Sequence, residues 1–263
     1  MAEIETVFTS ARLADGSLAD IGVSGGRIAA ISSAGAAGGA GSTVDLGGML
    51  VVPGFVEGHI HLDTSFYGDA WIPHKPCTNG FDVHERVAFQ AQNMAQAAPM
   101  DERARNQLDL CIANGATAMR SHVMVDGSVG LTSLETILKV REDYRDLIDI
   151  QLVAFPQSGI LKSPGTPELL DQAIALGADL VGGLDPASFD RDVTGHLDVV
   201  FGVAESTASM SISICMMPAR SVSSPSRRSV RGLRRSACPA ASPSAMPTGW
   251  ATCLRMRQGR QPT

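Results

Sequence analysis

The chain lacks three things, and each absence narrows what it can be. Its five cysteines contain no C-x-x-C pair and no regular spacing, so a disulfide framework is not expected and a reduced compartment fits. No uninterrupted apolar run reaches the length of a membrane span. The opening Met1-Ala2-Glu3-Ile4-Glu5 carries acids where a secretion signal needs base. Together these predict a soluble, cytoplasmic protein with no membrane partner. The third absence is local. Residues 206–263 contain no Asp, Glu, Lys or His, yet hold nine of the 21 basic residues, all of them arginine. The net charge of −6 therefore hides an acidic body, residues 1–205, that carries all 27 acids and only 12 bases.

One reading of the arginine-rich segment is a non-enzymatic binding protein whose tail grips nucleic acid or an acidic surface. A better one is a shift of reading frame near residue 206. Back-translated with codons ending mostly in G or C and read one nucleotide out of phase, Ser206 to Met217 decodes as His-Gly-Val-Asp-Val-Asp-Ile-His-Leu-His-Asp. That text is an alternating strand ending in His-x-His-Asp. An excess of Ser, Pro and Arg is also what a G/C-rich gene yields out of frame. On this reading residues 206–263 are an out-of-frame, disordered tail, and no nucleic-acid partner is expected.

The rest of the chain divides in two. Residues 1–52 read as short strands with tight turns, an N-terminal β-domain forming half of a composite β-sandwich. Val23 to Ile31 is a hairpin candidate turned by Gly25-Gly26. From residue 53 to 205 strands and helices alternate, as in a parallel α/β barrel. Strands are predicted over 49–61, 117–125, 149–155 and 179–184, and helices over 82–97, 100–114, 131–145, 166–176 and 192–205. That makes about four β/α units, the first half of a TIM (β/α)8 barrel.

In such a barrel the functional groups stand at the C-terminal ends of the strands. The first strand end supplies His59 and His61, which point to one face because strand residues i and i+2 do so. Asp63 follows. The next ends supply Arg120 and His122, then Gln157, then Asp185. Two neutral imidazoles suit Zn²⁺ or Fe²⁺, but a catalytic metal needs three or more protein ligands. His74, His84 and His196 lie in loop or helix contexts and are expected at the surface. The chain lacks the zinc signature of H-x-E with P-C-x-x-C, which sets that class of zinc site aside.

The run Pro53-Gly54-Phe55-Val56-Glu57-Gly58-His59-Ile60-His61-Leu62-Asp63 resembles the first-strand signature of the amidohydrolase superfamily. Ile112 to Gly115, Arg120 to Val123 and Asp149 to Leu161 resemble its branch of cytosine deaminase and N-isopropylammelide amidohydrolase. The similarity covers residues 4–205. It implies that His59 and His61 ligate one divalent metal ion, Zn or Fe, and that Gln157 binds a heterocycle, with Asp185 and His122 on the substrate side. No lysine stands on the fourth strand, which implies one metal rather than two. Gly183-Leu184-Asp185-Pro186 departs from the branch pattern and argues against cytosine itself. The implied reaction is hydrolysis of a C–N bond in a cyclic amidine, a pyrimidine- or triazine-like small molecule, by metal-activated water. The branch's acid–base residues follow later strands and have no counterpart here, so the catalytic residues are unknown and this chain is expected to be inactive. For the intact form, homo-oligomerisation stays open.

Overall fold

The computed structural model describes residues 4–36, 41–80, 82–215 and 251–254. The chain forms two compact units, Met1–Gly54 and Phe55–Thr263.

The first unit is a four-stranded sheet. Strands β1 (Thr6–Arg12), β2 (Leu18–Ser24), β3 (Arg27–Ser33) and β4 (Ser42–Asp45) lie in the order β3-β2-β1-β4. Gly25 and Gly26 turn the β2–β3 hairpin with φ of 56° and 69°. Both values are positive, which a type I′ turn demands and glycine allows. Met49 and Val51 bond to the backbone of Arg12, so the apolar run preceding the histidine pair belongs to this unit. The strand predicted over 49–61 consequently starts only at Phe55.

The second unit alternates β5 (Phe55–Ile60), α1 (Val83–Met94), α2 (Met100–Ala113), β6 (Ala116–Met124), α3 (Thr132–Asp143), β7 (Asp149–Phe155), α4 (Thr166–Leu176), β8 (Leu180–Leu184), α5 (Val193–Ser206), β9 (Met210–Cys215) and β10 (Ala251–Leu254). The sheet order is β10-β9-β8-β7-β6-β5, parallel from β5 to β9, with β10 antiparallel to β9. It is an α/β fold covering part of a TIM barrel.

Period-two alternation gives each strand two apolar faces, as parallel strands require. On β6 and β7, Met119, Val123, Ile150, Leu152 and Ala154 join the helix-side core with Leu108 of α2 and Leu134 and Ile137 of α3. The other face carries Val153, Leu180 and Ile212. Gly182 is required where β7 and β8 meet, because a Cβ there would lie 2.8 Å from the Ala154 carbonyl oxygen. Helix ends follow local chemistry. Asp82 caps α1 through the amides of His84 and Glu85, Pro167 stands in the first turn of α4, and Gly177 ends α4 at φ 125°.

Strand β9 falls within the segment expected to be an out-of-frame tail. Its backbone pairs in parallel with the β8 edge, with Leu180 opposite Met210 and Leu184 opposite Ile214. Residues 216–250 and 255–263, which carry all nine arginines of that tail, lie outside the described residues. Among the described residues no helix is long and apolar enough to cross a membrane.

Candidate metal and substrate site

The His-x-His run ends β5, and its neighbour β6 brings His122 alongside. The ring centroids of His59 and His122 are 4.2 Å apart and stacked, and His61 is 5.4 Å from each. The ligand atoms of the three imidazoles all lie within 4.8 Å of one another. The edge of Phe155, at the end of β7, closes against His61 and His122 at 5.3 Å. The surroundings grade from solvent to interior: His59 is exposed, His61 half-buried and His122 buried.

Desolvation makes these rings poor bases. Desolvation pulls His122 down to about 3, with the neighbouring His59, His61 and Arg120 acting in the same direction. Desolvation, then His59, takes His61 to about 4. His59 is also lowered by burial, against the opposing pull of Glu57. Neutral imidazole is the ligating form. Nδ1 of His61 and both ring nitrogens of His122 are buried without a hydrogen-bond partner. A buried polar atom left so costs about 1–3 kcal/mol, and a metal ion would remove that cost. The donor set therefore fits a nitrogen-ligated divalent ion.

Asp63 fixes the strand end that carries the pair. It is fully buried, and Oδ2 accepts the Met124 amide at 2.8 Å, tying β5 to β6. Ser121 Oγ accepts the Leu62 amide at 3.1 Å and reinforces the tie. Burial raises the Asp63 carboxyl to about 6, opposed by the Met124 amide and by Arg103. Arg103, on α2, donates to the backbone oxygens of Asp63, Ser65 and Ala98.

Gln157 and Asp185 stand at the same end of the sheet, just beyond β7 and β8. Gln157 is buried, and its Nε2 donates to Gln90 Oε1 of α1 at 3.1 Å. Asp185 is buried at φ 31°, a strained setting for a residue with a side chain. Its carbonyl accepts the amides of Ser188 and Phe189.

The Gln157 loop is held by two buried carboxylates that sequence reasoning missed. Asp126 Oδ2 accepts the Ser158 amide at 2.9 Å. Asp190 accepts the consecutive amides of Ile160, Leu161 and Lys162, and His196 Nδ1 lies 2.6 Å from its Oδ2. This corrects the surface placement expected of His196, which is fully buried because its ring completes the Asp190 clamp. His74 and His84 are exposed as expected.

The fold and the histidine cluster describe part of a barrel with a candidate metal site at its mouth, and the comparisons define its class. The amidohydrolase family model matches residues 42–213, and the chain belongs to that family. It is 33% identical over 198 residues to the N-isopropylammelide isopropyl amidohydrolase of Pseudomonas sp. (strain ADP), which covers 72% of this chain and 47% of the relative. Among solved structures it is similar to N-isopropylammelide isopropylaminohydrolase from Burkholderia multivorans, with 35% identity, a TM-score of 0.70, and coverage of 78% of this chain and 51% of the other. It is also similar to 5-methylcytosine deaminase from Klebsiella pneumoniae, with 29% identity, a TM-score of 0.64, and coverage of 78% and 50%. The chain spans about half the length of these relatives.

Proposed function

We propose that this barrel mouth is built for metal-dependent hydrolysis of a C–N bond in a cyclic amidine, a pyrimidine- or triazine-like ring. The observation that carries the reading is the convergence of three imidazoles whose ligand atoms lie within 4.8 Å, two of the rings having buried nitrogens without hydrogen-bond partners. His59 and His61 would hold one divalent ion, Zn or Fe. His122, first expected on the substrate side, would serve as a third nitrogen donor, a role that its stacking on His59 supports. Such an ion supplies an activated water at neutral pH and polarises the carbon under attack.

The chain's own groups do the rest. Gln157 offers an amide that donates and accepts at once, matching a lactam edge. Asp185 brings a carboxylate to the end of β8 for an N–H of the ring. Phe155 walls one side of His61 and His122. The names of the similar proteins, amidohydrolases and a deaminase of nitrogen heterocycles, agree with this reaction class. Because acid–base residues have no counterpart in the sequence, the 263-residue chain should bind metal and ring without turnover.

The test is a Co²⁺ titration followed by visible absorbance, with a parallel ammonia assay on pyrimidine and triazine amidines. Uptake of one equivalent of Co²⁺ that is lost in His61→Ala is expected. No specific uptake would end the metal reading, and sustained ammonia release would end the claim of inactivity. Sequencing the encoding DNA across codons 195–263 checks the frame. A single-base insertion or loss near codon 206 is expected, and a clean run to the stop codon would refute it.

A further inference from the structure

The two residues read as facing the ring stand on different loops, and one buried pair joins those loops. Gln157 follows β7 and Asp185 follows β8. Asp190, further along the second loop, reaches across to the first. Its two oxygens share the Ile160 amide at 3.1 Å, and Oδ1 also accepts the amides of Leu161 at 3.0 Å and Lys162 at 3.3 Å. Consecutive backbone N–H groups turned to one point make a nest for an anion. The chain fills this nest with its own carboxylate. Gly159 belongs to the fit, because at φ 86° a Cβ there would lie 2.8 Å from Asp190 Oδ1.

His196 aims that carboxylate. Its Nδ1 lies 2.6 Å from Asp190 Oδ2, and both side chains are fully buried. Donor and acceptor roles are fixed here. The backbone amides can only donate, the carboxylate accepts, and the ring is left to donate from Nδ1. Nε2 is buried without a partner, so a proton there would have no acceptor. With Oδ2 held by the ring, Oδ1 keeps facing the amides. The ring itself rides on α5, whose Val200 and Val203 sit in the helix-side core. Both loops are thus referred to one rigid element.

Resting on the reading of Gln157 and Asp185 as ring-binding residues, we propose that Asp190 and His196 are a positioning pair that locks the two loops into one body and holds those residues at a fixed spacing. Three measurements on the full chain test it. In the wild type, ¹⁵N NMR of labelled histidine should show His196 protonated at Nδ1 and bare at Nε2; the opposite tautomer overturns the proposal. Without ligand, amide exchange at Ile160 and Phe189 should quicken together in His196→Leu and return to the wild-type rate in His196→Asn. Asparagine has leucine's branched shape, and its amide can donate where Nδ1 does. No quickening in the Leu variant, quickening of Ile160 alone, or an Asn variant as fast as Leu overturns it. Isothermal titration of the Zn²⁺-loaded chain with uracil, a lactam with no amine to lose, reads the consequence at the mouth. His196→Leu should weaken uracil about tenfold, recovered in His196→Asn, while Zn²⁺ affinity stays unchanged. Equal losses of uracil and Zn²⁺ would mean a general loosening and overturn it too. If the wild type binds no uracil, or Gln157→Leu binds it as the wild type does, the reading of the ring-binding residues fails and the proposal falls with it, even where exchange shows the loops coupled.

Discussion

The two ends of the barrel sheet are built on opposite terms. At the N-terminal ends of the strands, polar groups are matched. Arg141 pairs with Asp179 at 3.0 Å, and Asp179 also accepts the Leu152 amide; Arg120, expected at the mouth, sits in the middle of β6, where its Nε donates to Gln151 Oε1 at 2.7 Å. Nearby, Tyr144 donates to Asp109 at 2.7 Å. At the C-terminal ends lie the buried polar atoms found without partners among the described residues, on His61, Asp63, His122 and His196. An end made for stability satisfies its own groups, and an end made for a ligand leaves valences for it.

The sharpest way to break this contrast is at the histidines. Replacing His59 and His61 together with alanine should weaken Zn²⁺ at least roughly 1,000-fold, about 4 kcal/mol, measured by competition with a chromophoric chelator. Next comes the exception at the mouth, the satisfied Asp190. Asp190→Ala strands the buried Ile160 amide and the part-buried amides of Leu161 and Lys162, and should cost about 3 kcal/mol in urea unfolding. The contrast is sharpened by His122→Leu, which removes two unmatched buried nitrogens. It should raise metal-free stability by about 1–2 kcal/mol while lowering metal affinity. Arg141→Ala, at the opposite end, should cost under about 1 kcal/mol and leave metal binding unchanged.

The smallest effect is a pH dependence at Tyr144. Burial, then the Asp109 hydrogen bond and charge, push its phenol up to about 12. A raised folded-state value means the neutral form stabilises the fold. That contribution is complete below pH 10 and is lost as pH climbs through about 12. Alkaline unfolding of Tyr144→Phe should lack this slope.

Much of the barrel was legible because its signals are local. Hydrophobic alternation located β7 as Asp149–Phe155, and the Thr166–Leu176 helix with Gly177 as its stop stands where the pattern put it. His59 and His61 were legible for the same reason, since two residues apart on a strand means one face. His122 was legible as a mouth residue, but its stacking on His59 depends on the β5–β6 register, which shifts between Glu57 and Ile60. Gln90, Asp126 and Asp190 were not legible. Their partners lie 67, 32 and 28–30 residues away, and nothing in a single sequence encodes which amide a distant carboxylate will meet. His196 misled because a lone histidine in a helix context was expected at the surface, whereas a buried acid drew it in. Met49 to Val52 misled because an apolar run does not say which of two sheets it serves.

Strand β5 lies at the margin of the six-stranded order and, among the described residues, hydrogen-bonds only to β6. Two of the three imidazoles thus ride at the end of a strand braced on one side only, with Phe55 and Val56 largely exposed. The free energy of metal capture and the ordering of that strand are then one linked quantity. Whatever stiffens β5 from outside should raise metal affinity without touching a ligand, and metal should in turn slow amide exchange along β5 more than along β7.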